Sequence, residues 1–155
     1  MKRTLFQIGL VVALFLFSCK KDNKEILCTA IGHAPQLMFN FIDKTTSQDL
    51  FFSDNPKYTK DQLKVYIFVP LENNVTQKDT LPVTVYSSSK YFATPIPSFT
   101  DTFYMQIADL SIDTLIIKSK RIVSTACYVL PYPDSVLFDH QLYIADANHI
   151  LTLEK

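Results

Sequence analysis

From Leu37 onward the chain reads as short segments in which every second residue is apolar. Leu37, Phe39 and Phe41 alternate with Met38, Asn40 and Ile42; Leu63, Val65, Ile67 and Val69 alternate with Lys64, Tyr66 and Phe68. Leu81 to Tyr86 repeats the pattern through Val83 and Val85, with Pro82 marking a strand start or a sheet edge. A period of two is the mark of a strand with one buried face. Further strands are predicted at Leu50 to Phe52, Thr102 to Ala108, Leu115 to Val123, Ala126 to Leu130, Gln141 to Ile144 and Ile150 to Leu153. Turn formers separate them: Asp43 to Asp49, Asn55-Pro56, Glu72 to Asn74, Ser87 to Ser89, Pro95 to Pro97 and Pro131 to Asp134. Only Thr59 to Leu63 reads as a short helical turn. Strands and turns at this spacing predict an all-β fold, an antiparallel β-sandwich. Its topology is expected to be immunoglobulin-like, with a transthyretin-like sandwich or a small barrel as rival. Phe39, Phe41, Val65, Ile67 and Val85 are the expected core.

The first residues follow a different pattern. Lys2 and Arg3 precede an apolar run from Leu5 to Phe17, broken only by Gln7 and Gly9. The run is shorter than the roughly 20 residues that span a hydrocarbon core, and it has the layout of a secretion signal. It closes on Leu16-Phe17-Ser18-Cys19, which resembles the lipobox of bacterial lipoproteins. That resemblance implies cleavage before Cys19 and a lipid on its thiol. The expected organisation is a signal peptide over 1–18, a lipidated cysteine and tether over 19–27, and one β-sandwich domain over 28–155. Two acyl chains, at about 0.8 kcal/mol per buried CH₂, anchor stably. The charged run Lys20 to Glu25 extends to about 20 Å and keeps the domain near the membrane.

Composition narrows the chemistry. Fifteen basic residues balance fifteen acidic ones, so no field draws in nucleic acid. After the signal only Gly32 remains as glycine, which argues against a phosphate-cradling loop. Twelve Phe and eight Tyr, with no Trp, suit the facing sheets of a sandwich. Cys28 and Cys127 remain once Cys19 is lipidated; in an oxidising compartment they either form a disulfide or stay as two buried thiols. No C-x-x-C is present. His33, His140 and His149 lack metal-ligand spacing, although Asp139 and Asp146 lie near the last two in sequence; they read as surface histidines in loops. No G-x-S-x-G surrounds a serine, so neither a catalytic residue, nor a metal, nor a cofactor is expected.

A wider resemblance rests on the run Ala34 to Thr46 with its Ile-Asp-Lys-Thr-Thr turn, followed by Asp49-Leu50-Phe51-Phe52 and Asn55-Pro56-Lys57-Tyr58. With Asp101 to Met105 and Leu110 to Leu115, these segments resemble uncharacterised small lipoproteins of Bacteroidota-type bacteria. The resemblance implies a location, lipid-anchored to the outer membrane in the cell envelope, and no activity. Lys21-Asp22 resembles the start of a surface-export stretch, with Asn23 where a second acid is usual, so the periplasmic and outer faces both stay open. It further implies O-glycosylation at Asp-Ser/Thr-aliphatic sites: Thr80, Thr114 and Ser135, with Thr80 and Ser135 expected in loops. The expected role is non-enzymatic binding or structural association at the cell envelope, with another envelope protein or a glycan as partner. The alternative is a carbohydrate- or small-ligand-binding module that uses Tyr58, Tyr91 or Tyr132.

Overall fold

The computed structural model describes residues 34–72, 75–124 and 129–155. Their strands are β1 (Gln36–Ile42), β2 (Leu63–Pro70), β3 (Thr76–Leu81), β4 (Thr84–Tyr86), β5 (Tyr91–Pro95), β6 (Thr102–Ile107), β7 (Asp113–Ser124), β8 (Val129–Phe138), β9 (Gln141–Ile144) and β10 (Ile150–Glu154). They form two sheets, ordered β10-β1-β5-β4 and β3-β2-β6-β7-β8-β9, which pack face to face as a β-sandwich. All pairings are antiparallel except β1 with β10, which run parallel with Phe39 level with Leu151.

Alternation sets the core. β1 buries Leu37, Phe39 and Phe41; β6 buries Phe103, Met105 and Ile107 from the opposite sheet. The Phe39 and Phe41 rings meet edge to face at 5.6 Å, and Phe41 reaches Phe138 across the sandwich at 5.8 Å. Such aromatic pairs add about 0.5–1.5 kcal/mol beyond the area they bury. Val65 and Ile67 are buried as expected. Val85 is not: it is 38% exposed, because β4 is the outer strand of the smaller sheet and pairs only with β5.

Several expected elements are drawn differently. Leu81 to Tyr86 is two strands in two sheets; Pro82 cannot donate to a ladder, and the chain crosses from β3 to β4 there. Pro131 to Asp134 is not a turn but part of β8, on a stretch whose other flank β9 leaves unpaired, where a missing N–H costs nothing. The strand expected at Ala126 to Leu130 begins at Val129, with 125–128 outside the described residues. Leu50 to Phe52 makes no strand; Asp49 accepts the N–H groups of Phe51 and Phe52 at 2.8 and 2.7 Å, which holds this stretch in a turn. Thr59 to Leu63 does contain a 3₁₀ turn, Lys60–Gln62, with the Thr59 N–H donating to the Gln62 side chain.

The registers define two ends. The described chain begins beside the end of β5, where the Ile96 N–H donates to the Pro35 carbonyl at 2.9 Å. β1 runs from this near end to a far end, where the 43–62 segment, the 87–90 and 139–140 turns, and Lys155 gather. In the far-end hairpin of β8 and β9, Asp139 and His140 both take positive φ, as a two-residue turn that matches strand twist requires. At the near end β7 outruns β6. Beyond Ile117, whose N–H bonds the Asp101 carbonyl, β7 continues paired only with β8 as a two-stranded arm.

Candidate functional site

The three tyrosines singled out from the sequence do not share a patch. Tyr58 packs its ring against Phe51 at 5.9 Å at the far end. Tyr91 stacks on its cross-strand partner Tyr86 at 4.6 Å, and burial beside that phenol pushes its pKa up. Tyr132 stacks on His149, also at 4.6 Å. Each ring packs against a different neighbour.

His140 occupies the exposed β8–β9 turn, and His149 the turn before β10. Asp146 is occupied as a turn former, accepting the N–H groups of Asn148 and Ile150. Among the described residues no three His, Cys, Asp or Glu side chains converge. Thr80 and Ser135 lie in strands, not loops. Thr80 is exposed on β3 opposite Tyr66, while Ser135 is half-buried with its hydroxyl 2.7 Å from that of Ser119. Thr80 follows Asp79, which pairs with Ile67 in the ladder, and Ser135 follows Asp134, which lies at a register shift and meets Arg121. Thr114 is exposed on β7. Cys19, Cys28, Cys127 and His33 fall outside the described residues.

Two surfaces stand out instead. The first is β9, the last strand of the larger sheet. Open edges are usually blunted by charge, proline or shortness. β3 carries Lys78 and Asp79, β4 has three residues and follows Pro82, and β10 ends on Glu154. β9 reads Gln-Leu-Tyr-Ile, without charge or proline, and exposes Leu142 at 58% and Ile144 at 70%. Leu142 sits opposite Leu137, which in turn sits opposite Ile116, so an apolar row crosses the outer face beside this edge.

The second surface is at the far end. The segment between β1 and the 3₁₀ turn is longer than most loops in compact domains. It is tied down at both sides: Asp43 accepts the N–H groups of Thr45 and Thr46, Leu50 N–H donates to Phe41, and Tyr58 N–H donates to Leu50. The amides of Thr46 and Thr45 hold the Asp43 carboxyl below the usual carboxylate range. Leu50 and Phe51 drop into the core, with Phe51 edge-on to Phe92 at 5.0 Å. What stays outside is a pocket of about 370 Å³, floored by Phe51, Phe52, Pro56 and Tyr58 and rimmed by Lys60 and Ser87. The Lys60 ammonium lies 4.9 Å from the Phe52 ring centre and donates to the Ser87 hydroxyl at 3.0 Å. Sequence reading found Tyr58 but not Phe52, Lys60 or Ser87, which come from three separate turns of the chain.

Comparison with protein-family models, with curated proteins and with solved structures finds no match to this chain. The functional reading therefore rests on these surfaces and on the sequence of the N-terminal segment.

Proposed function

We propose that this protein is a lipid-anchored, non-enzymatic envelope protein that binds a partner protein by strand addition at β9. The observation that carries the reading is the β9 edge, an outer strand with neither charge nor proline and with Leu142 and Ile144 exposed beside it. An added strand would take up the free backbone groups, and alternate side chains would meet the row Ile116, Leu137 and Leu142. The separation of Tyr58, Tyr91 and Tyr132 speaks against a ligand platform built from these three rings. The anchor half of the reading is supported by Lys2-Arg3, the apolar run and Leu16-Phe17-Ser18-Cys19.

Each half has its own test. A photo-crosslinking residue placed at Ile144 in living cells is expected to give one discrete protein adduct, which Leu142→Lys abolishes. A folded, membrane-bound protein that yields no adduct at this position overturns the strand-addition reading. Cys19→Ser is expected to move the protein to the soluble fraction and to stop incorporation of a fatty-acid analogue. Full membrane retention of that variant defeats the anchor.

A further inference from the structure

We infer that the far-end pocket is a binding site for a small ring that carries a carboxylate. Four observations support this. The pocket is pre-formed: Asp49 fixes the backbone at Phe51 and Phe52, Leu50 and Phe51 are set in the core, and the Phe52 ring lies 5.0 Å from the Phe92 ring. A site whose floor is packed in this way loses little freedom when it is filled. Its volume of about 370 Å³ is near the lower end of the roughly 300–1,000 Å³ typical of small-molecule sites, which suits one ring and not a chain of them.

The lining gives the chemistry. Phe52, Pro56 and Tyr58 offer apolar and aromatic surface to the flat side of a ring. Lys60 supplies the positive charge at the rim. Its neighbour Lys57 is paired with Asp43 at 3.3 Å, whereas among the described residues no carboxylate pairs with Lys60. An ammonium has three donors, and the Ser87 hydroxyl takes one of them. The others point to a carboxylate on the bound ring, with Ser87 as a second donor once Lys60 turns to it. Position agrees: the first described residues, Ala34 and Pro35, lie at the near end, so a domain tethered through the segment before them turns this pocket away from the tether. The site does not depend on β9, and either can fail without the other.

An aromatic acid and a uronic acid share this chemistry, so the test carries both. The full lipidated protein in detergent micelles is titrated by calorimetry with 4-hydroxybenzoate and with glucuronate, against phenol and glucose as uncharged counterparts. Saturable binding of at least one acid is expected, with its uncharged counterpart weaker by about tenfold or more, and the acid that binds identifies the source. Lys60→Met keeps the apolar stem and should weaken that acid by about tenfold without changing thermal stability. Tyr58→Leu should weaken acid and neutral ring alike. The inference is overturned if neither acid binds, if acid and neutral ring bind equally, or if Lys60→Met binds as the unaltered protein does.

Discussion

The two ends of the sandwich are closed by opposite means. At the far end the long segment after β1 sends Leu50 and Phe51 inward, so that irregular backbone becomes part of the core. At the near end the β7–β8 arm is strand-paired backbone with register shifts at Ile117–Lys120, yet it leaves Ile122 61% exposed and runs beyond β6. Strand pairing and burial are thus separated in this protein. The far end buries apolar side chains on turns tied by the Asp43 and Asp49 carboxylates, while the arm has a paired ladder with ion pairs at its surface, Lys120 with Asp101 and Arg121 with Asp134. Stability follows buried area more than hydrogen-bond regularity, since a solvated ladder bond adds little net energy. A pocket needs a rigid floor, and the far end provides one.

The widest test of this contrast is a pair of truncations. Phe51→Ala removes a ring that is 2% exposed and touches Phe41, Tyr58 and Phe92. It should cost about 3–5 kcal/mol, a large part of a typical domain stability of about 5–15 kcal/mol. Ile122→Ala on the arm should stay within about 0.5 kcal/mol. Urea denaturation of both variants measures the difference. Equal losses would mean that the arm is packed in solution and that the contrast is false.

The second test concerns the ion pair that closes the far end. Asp113, 7% exposed at the start of β7, accepts from Lys155 at 2.6 Å. Lys155 also binds β1, since its N–H donates to Ile42 and its carbonyl accepts from Lys44. The last residue thus joins the two sheets where the long segment begins. Asp113→Ala would leave a largely buried ammonium without its partner, at a cost of about 2–3 kcal/mol. That is less than the roughly 3–5 kcal/mol of a fully buried pair, because Lys155 retains some solvent. Asp113→Ala with Lys155→Met should recover part of the loss. If the double variant is no more stable than Asp113→Ala alone, the charge was not the source of the cost.

How much of this was legible in the sequence depends on whether burial alternates. β1, β2, β6 and β10 place apolar side chains at every second position, and all four were readable. β3, Thr-Gln-Lys-Asp-Thr-Leu, has no buried face as an edge strand and so no apolar signal. β5 fails for the opposite reason: Phe92, Ala93 and Thr94 are buried in succession, and two of the three are small or polar. Leu50-Phe51-Phe52 looked like a strand because it is apolar, whereas the decisive group is the Asp49 carboxylate just before it. The pocket was legible only at Tyr58. Lys60 and Ser87 meet through the pairing of β4 with β5 and of β5 with β1, a tertiary fact that no local pattern carries.

The smallest effects give the sharpest version of the contrast, because they compare one tie with another. At the far end the Asp49 carboxylate holds the N–H groups of two consecutive residues, and both bonds are partly buried. Asp49→Ala leaves those donors to compete for water in a crowded turn, at a cost of about 1–2 kcal/mol. It should also free Phe52, so any ligand of the pocket weakens with it. At the near end Lys120 meets Asp101 at a similar distance, 2.6 Å, but both side chains are well exposed. Water and salt screen such a pair, and Lys120→Ala should cost no more than about 0–1 kcal/mol, falling toward zero at about 1 M salt. Amide exchange read residue by residue separates the two. Asp49→Ala should speed exchange at Phe51 and Phe52 at any ionic strength, while Lys120→Ala should alter the arm only at low salt. If the Lys120 effect persists at high salt and matches that of Asp49, the arm is held by more than its surface charges, and the two ends are alike after all.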